Sequence, residues 1–149
     1  MNTIEEEVQT LNITKSEIIK ASPEIVWEAM LYQIGPGCEF EPGKSMNFTL
    51  EAFPGGRWFR DLGNGVGHFW GHVQVIKPNK LLELCGPMFM SYAATSHVQY
   101  RLTPEGATTR LDIVHTAFGL IPLDHRTGVQ EGWAHELKMI RERAERSAR

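Results

Sequence analysis

Hydrophobic and polar positions alternate along several stretches of the chain, and a period of two is typical of strands with one buried face. Residues 11–20 form the first such stretch, and residues 46–53 form the next. Residues 53–78 follow with a proline-glycine turn, a short strand, an Asn-Gly hairpin and a long strand that ends at a proline. Three further strands are predicted at residues 81–85, 95–103 and 108–118.

Helix signals occur on both sides of this pattern. Ser22 as N-cap, Pro23 at the first helical position and Glu24 in the first turn predict a helix start, and residues 35–37 end that helix. Beyond Pro122 the period becomes helical, and one face carries Val129, Trp133, Leu137, Ile140 and Ala144. The order β-α-β(6)-α predicts an α+β fold, in which a curved antiparallel sheet of about seven strands wraps on a long C-terminal helix.

Length and charge narrow the class of protein. The chain has 149 residues, so we expect residues 1–149 to form one domain, with residues 1–12 as a flexible N-terminal segment and residues 38–45 as a loop. A net charge of −3 argues against a basic face for nucleic acid. Apolar runs are shorter than the ~20 residues of a membrane span, and the start lacks the features of a signal peptide. We therefore expect a cytoplasmic protein without membrane insertion.

Glycines are concentrated in the first half of the sheet. Nine of the 14 glycines lie between residues 35 and 71, which indicates either bulges and bends that curl the sheet or several tight turns. A curled sheet under a long helix leaves a cleft, and a ligand would bind there. Gly132, next to Trp133 in the last helix, predicts a close approach of the helix backbone to the sheet.

Strand parity assigns side chains to the two faces of the sheet. In the hairpin of the last two strands it places His115 and Tyr100 inside and His97 outside. A histidine in that position is usually a hydrogen-bonded core residue. Alternatively, His115 and Tyr100 could orient a polar group of a ligand or act as an acid-base pair.

In the long strand at residues 66–76, parity places Phe69 and Val73 on the inner face, towards the cavity, and Trp70 on the outer face. An exposed tryptophan there could mark a dimer or partner surface, or a loop could cover it.

The histidines do not form a predicted metal site. His68 and His72 lie about 13 Å apart along one strand face, and His125 and His135 lie on nearly opposite faces of the last helix. The sequence also lacks a nucleophile elbow, a dinucleotide-binding turn and a phosphate loop. Neither a metal nor a cofactor is expected.

Ordered landmarks along the chain carry a resemblance to a known superfamily. They are residues 21–29, the turn at 54–57, residues 71–78 with 81–83, the strand that reaches His115, and Gly132 with Trp133 in the last helix. Together they resemble the SRPBCC, or START-like, superfamily, and within it the branch named after the activator of the heat-shock-protein-90 ATPase. The resemblance covers residues 13–146 and implies a helix-grip fold with a deep apolar cavity. Members of the superfamily serve as lipid carriers, polyketide cyclases and aromatases, and hormone receptors.

The leading functional hypothesis is non-catalytic binding of a small hydrophobic or amphipathic molecule in that cavity. The candidate ligand-binding residues are Trp27, Phe69, Val73, Leu84, Tyr100, Ile113, His115 and Trp133. A second hypothesis is an enzyme of cyclase, aromatase or lyase type that uses His115 and Tyr100 for proton transfer. A third is a protein-interaction role such as chaperone regulation, although the eukaryotic activators engage the chaperone through an additional N-terminal domain. A homodimer is also compatible with the sequence.

Overall fold

The computed structural model describes residues 7–149, and it confirms the predicted α+β fold. A strand and a helix come first, a small hairpin and six strands follow, and a long helix comes last. The small hairpin occupies a segment for which the sequence predicts a loop. The elements are β1 Gln9–Ile19, α1 Pro23–Ile34, β2 Glu39–Glu41, β3 Lys44–Ser45, β4 Phe48–Leu50, β5 Arg57–Asp61, β6 Gly67–Lys77, β7 Leu81–Gly86, β8 Ala94–Glu105, β9 Thr108–Gly119 and α2 Leu123–Ser147.

Seven of the strands form one antiparallel sheet in the order β1-β9-β8-β7-β6-β5-β4. Strands β4 to β9 pair with their neighbours in the chain, and β1 pairs with β9 at the edge. Leu11 is buried and lies opposite Ala117. The expectation that residues 1–12 are flexible is therefore wrong for residues 9–12, which belong to β1. Residues 1–6 lie outside the described residues.

Both helices begin where the sequence predicts. The Ser22 hydroxyl accepts a hydrogen bond from the Ile25 N–H at 3.4 Å, and Pro23 is the first residue of α1. The predicted apolar face of α2 is the buried one, with Val129, Trp133, Leu137, Ile140 and Ala144. No helix within residues 7–149 has the length and apolar character to cross a membrane.

The core lies between the inner face of the sheet and the two helices. Helix α2 packs against α1 and β1. The ring of Trp133 on α2 meets the ring of Tyr100 on β8 edge to face, with centroids 6.1 Å apart. The centre of the sheet and the middle of α2 therefore share one buried layer.

A β-bulge in β6 reverses the side-chain parity predicted for this strand. Trp58 pairs with Gly71 and the residue after Trp58 pairs with Phe69, so Trp70 is the extra residue. Trp70 turns inward, with its ring centroid 5.1 Å from that of Trp58, whereas the Phe69 side chain is 44% exposed. The prediction that Phe69 faces inward and Trp70 outward is wrong for this reason. Val73, beyond the bulge, is buried as predicted.

Close approach of backbones occurs at a different glycine from the one predicted. A Cβ atom at Gly132 would meet no atom within 4 Å, so the expectation of helix-sheet contact there is wrong. A Cβ atom at Gly71 would lie 2.5 Å from the carbonyl oxygen of Cys85 on the neighbouring strand. Trp133 extends from the helix to the sheet, and the backbone of α2 stays at a distance.

Candidate ligand-binding site

Three side chains from separate elements form a buried hydrogen-bonded row around His115. The Trp133 indole N–H of α2 donates to His115 Nδ1 at 2.9 Å. The His115 Nε2 lies 2.8 Å from Ser96 Oγ on β8. Ser96 Oγ in turn lies 3.8 Å from the sulfur of Met90, in the loop that precedes β8.

The direction of this row fixes the tautomer of His115. Because Nδ1 accepts from the indole of Trp133, the neutral ring carries its proton on Nε2 and donates it to Ser96. The Ser96 hydroxyl is then free to donate to the Met90 sulfur. A second proton would have to be placed on Nδ1, opposite the indole N–H. Burial lowers the pKa of His115 to about 4, so the imidazole is neutral near pH 7.

The prediction that His115 is inside and His97 outside is confirmed. His115 is completely buried, whereas His97 lies on the other face and contacts the Glu83 carboxylate at 2.9 Å. Both nitrogens of His115 are engaged by protein groups. The geometry therefore favours the role of a hydrogen-bonded core residue over that of a proton-transfer group.

Tyr100 differs from His115 in its hydrogen bonding. It lies on the same inner face and is completely buried, and its hydroxyl has no hydrogen-bond partner among the described residues. Burial raises the pKa of this phenol well above its usual value, and the charge of Glu136 contributes to the increase. A buried hydroxyl without a partner is a cost to the fold. It is also a polar group that a ligand could satisfy.

Glu136 is the second polar group in this place. It lies on α2 three residues after Trp133, so the two side chains project from the same side of the helix. The side chain is partly buried, and burial raises the pKa of its carboxyl from the usual 4.5 to about 7. Its charge also acts on Cys38, which follows α1 and whose thiol pKa is raised to about 11, chiefly by burial. The charge of Glu136 on α2 thus acts on both Tyr100 and Cys38.

The structure brings most of the sequence-predicted site residues into one core. The Trp133 ring packs against the rings of both Tyr100 and His115, with centroids 6.1 Å and 5.6 Å away. Four other predicted site residues belong to the same buried core, namely Trp27, Val73, Leu84 and Ile113. Phe69 is the exception, because it lies on the outer face of the sheet.

Two residues of the site were not predicted. Ser96 lies four positions before Tyr100 on β8, and this even spacing places its hydroxyl on the same inner face. Glu136 occupies a polar position within the apolar stripe of α2. A carboxylate that interrupts a buried helix face is the signal that could have identified it.

The arginines near the glycine-rich strands lie outside this region. Arg57 pairs with the Glu51 carboxylate at 2.8 Å on the surface. Arg60 donates to the Met46 carbonyl oxygen at 2.9 Å. Beside it lies an open cleft of about 380 Å³, lined by Glu41, Lys44, Ser45, Met46 and Arg60. Within residues 7–149, no group of three His, Cys, Asp or Glu side chains is placed to hold a metal ion.

Comparison with known families agrees with this architecture. A family described as "Activator of Hsp90 ATPase homolog 1-like protein" matches residues 20–145. The chain belongs to this family. The matched region contains every residue of the row around His115, together with Tyr100 and Glu136. The family has the SRPBCC-like helix-grip fold that the sequence landmarks predict. This fold is known for ligand binding.

Solved structures show the same fold at low sequence identity. One is an uncharacterised protein from Rhizobium leguminosarum, with 16% identity, a TM-score of 0.70, and coverage of 94% of this chain and 97% of that chain. Another, from Rhizobium loti, has 19% identity, a TM-score of 0.70, and coverage of 92% and 99%. The Aha1 dimer from Colwellia psychrerythraea has 19% identity, a TM-score of 0.64, and coverage of 91% and 96%. The chain matches no curated protein.

Proposed function

We propose that this member of the Activator of Hsp90 ATPase homolog 1-like family binds a small amphipathic molecule between the sheet and α2, without catalysing a reaction. The observation that carries the proposal is the Tyr100 hydroxyl, which is completely buried and has no partner among the described residues. A ligand whose polar group meets Tyr100 would satisfy that hydroxyl. Its apolar part would take the place of side chains in the surrounding core.

The loop between β7 and β8 is the segment that can most easily move aside when a ligand enters. Its residue Phe89 is only partly buried and lies against His115, with ring centroids 6.0 Å apart. Met88 and Met90 of the same loop are buried. Methionine side chains are flexible and repack at low cost, and Phe89 can leave the site without breaking a strand pairing. We therefore place the entrance beneath this loop.

The row around His115 supports binding in preference to catalysis. An acid-base residue needs a nitrogen that can exchange a proton with substrate. Both nitrogens of His115 are already bonded within the protein. His115 instead fixes the orientation of Trp133, whose ring forms one wall beside Tyr100.

The first test is native mass spectrometry of the freshly purified protein, compared with its denatured mass. We expect a defined excess mass that denaturation releases. If the protein is purified empty, calorimetric titration with decan-1-ol replaces this measurement, because a hydroxyl both donates and accepts and a ten-carbon chain is apolar. Decan-1-ol should then bind with a stoichiometry of one.

Matched variants locate the binding. Tyr100→Phe should weaken binding roughly fivefold, since the loss of one net hydrogen bond is about 1 kcal/mol. Tyr32→Phe removes a hydroxyl from an exposed tyrosine and should leave the affinity unchanged, as should Phe69→Ser on the outer face. The proposal is wrong if the protein is purified empty and binds neither decan-1-ol nor an amine or carboxylate of the same chain length. It is equally wrong if Phe69→Ser abolishes binding while Tyr100→Phe has no effect.

A further inference from the structure

We infer that the site selects a ligand whose polar group is an amine, and that it discriminates against carboxylates such as free fatty acids. This inference rests on the proposed function, because it specifies the ligand class of the same site. It is carried by two polar groups. One is the unpartnered hydroxyl of Tyr100, whose ring packs against Trp133 of α2, and the other is the carboxylate of Glu136, about one turn further along that helix.

Glu136 is available to a ligand. In residues 7–149 it takes part in none of the ion pairs and hydrogen bonds, although neighbouring charged residues of α2 do. Arg141 donates to Glu17 at 2.7 Å. Lys138 lies on an exposed part of the helix, 4.0 Å from Glu142. These two cations of α2 thus have partners other than Glu136, as has Arg143, whose Nε donates to Gln33 Oε1 at 3.5 Å.

Within residues 7–149, no Lys, Arg or His side chain forms an ion pair with Glu136. Tyr100 on β8 is a neutral phenol, and burial keeps His115 on β9 neutral by lowering its pKa to about 4. Cys38, in the segment after α1, has a thiol whose pKa burial raises, so it too is uncharged near neutral pH. The charge of Arg60 reaches Cys38, but its guanidinium is bonded to the Met46 carbonyl.

The chemistry of the missing partner follows from this arrangement. An ammonium group would donate to the Glu136 carboxylate and to the Tyr100 oxygen at once, and would neutralise a partly buried charge. A ligand carboxylate would place a second negative charge beside the first, in surroundings of low polarity where like charges repel strongly. A neutral alcohol could bond to both groups without either effect. The expected order of affinity is therefore amine, then alcohol, then carboxylate.

A matched series with one chain length tests this order. Decylamine, decan-1-ol and decanoate are titrated calorimetrically at pH 8, where the amine is cationic and Glu136 is mostly ionised. We expect the amine to bind at least tenfold more tightly than decanoate. In Glu136→Gln the preference for amine over alcohol should disappear while decan-1-ol still binds. Glu131→Gln, which removes an exposed carboxylate of the same helix, should retain the wild-type order.

The outcomes separate the two proposals. If decanoate binds as tightly as decylamine and decan-1-ol also binds, the preference for amines is wrong and the proposed function stands. If the preference persists in Glu136→Gln but is lost in Glu131→Gln, the selectivity comes from the protein surface and the inference is wrong. If none of the three compounds binds and the protein is purified empty, both the proposed function and the inference are overturned.

Discussion

Tyr100 and His115 lie on the same inner face of paired strands, yet they differ in how their polar atoms are satisfied. Strand parity predicts correctly that both point inward. It cannot predict which one finds partners, because those partners come from distant parts of the chain. Trp133 approaches His115 from α2, and no described residue approaches the Tyr100 hydroxyl. Tyr100, and not His115, is therefore the candidate residue for binding the polar group of a ligand.

Replacement of Tyr100 by phenylalanine should make the protein more stable. The change removes a buried hydroxyl without a partner and keeps the ring against Trp133, so we expect the free energy of unfolding to rise by about 1 kcal/mol. Urea denaturation of the unliganded protein measures it, with Tyr32→Phe as the control for loss of an exposed hydroxyl. A loss of stability in Tyr100→Phe would show that the hydroxyl is hydrogen-bonded in solution. Together with the expected loss of affinity, a gain in stability would mark Tyr100 as a binding residue kept at a cost to the fold.

Secondary-structure elements were predictable where one periodicity decides their orientation. The buried face of α2 could be read in full from its helical period, since a helix of 25 residues repeats the signal many times. The buried face of strand β6 could not be predicted in this way, because its side-chain parity depends on the bulge at Trp70. That bulge arises from pairing with β5. The glycines of residues 35–71 are compatible with bulges, but the alternation of the strand does not place one at Trp70. Four of the eight predicted site residues, Leu84, Tyr100, Ile113 and His115, lie in the regular pairings of β7, β8 and β9, whereas Phe69 and Val73 lie next to register shifts in β6.

Glycines in the helix and in the sheet should respond to alanine in opposite ways. Gly132→Ala adds a methyl group in open space and replaces a poor helix former, so we expect a gain of about 0.5–1 kcal/mol in the free energy of unfolding. Gly71→Ala should destabilise the protein, because its Cβ atom would lie 2.5 Å from the Cys85 carbonyl oxygen. Thermal and urea denaturation of the two variants give the comparison. If Gly132→Ala is less stable than the wild type, the backbone of α2 does approach the sheet closely at Gly132, as the sequence predicts.

For the molecule as a whole, two buried groups give stability opposite dependences on pH. Glu136 has a pKa of about 7 in the folded protein against a usual 4.5, so the folded state holds its proton more tightly. Its contribution is present below pH 4.5 and is lost as the pH rises to 7. His115 has a pKa of about 4 against a usual 6.5, so stability increases as the pH rises between those values. Each effect amounts to about 3 kcal/mol at most, and the two nearly cancel between pH 4.5 and 6.5.

Removal of either group should therefore reveal the pH dependence of stability that the other group causes. In Glu136→Gln, stability relative to the wild type should increase from pH 4.5 to 7, because the opposing carboxyl is gone. In His115→Phe, which also loses two hydrogen bonds and is less stable throughout, the difference from the wild type should widen as the pH rises from 4 to 6.5. Urea denaturation at intervals across pH 4 to 8 measures both, and Glu131→Gln and His135→Gln are controls at exposed positions of α2. Subtraction of the wild-type curve cancels the contribution of every unchanged group. A Glu136→Gln curve parallel to that of the wild type would mean that Glu136 is solvated, and the amine preference argued from its burial would then lose its basis.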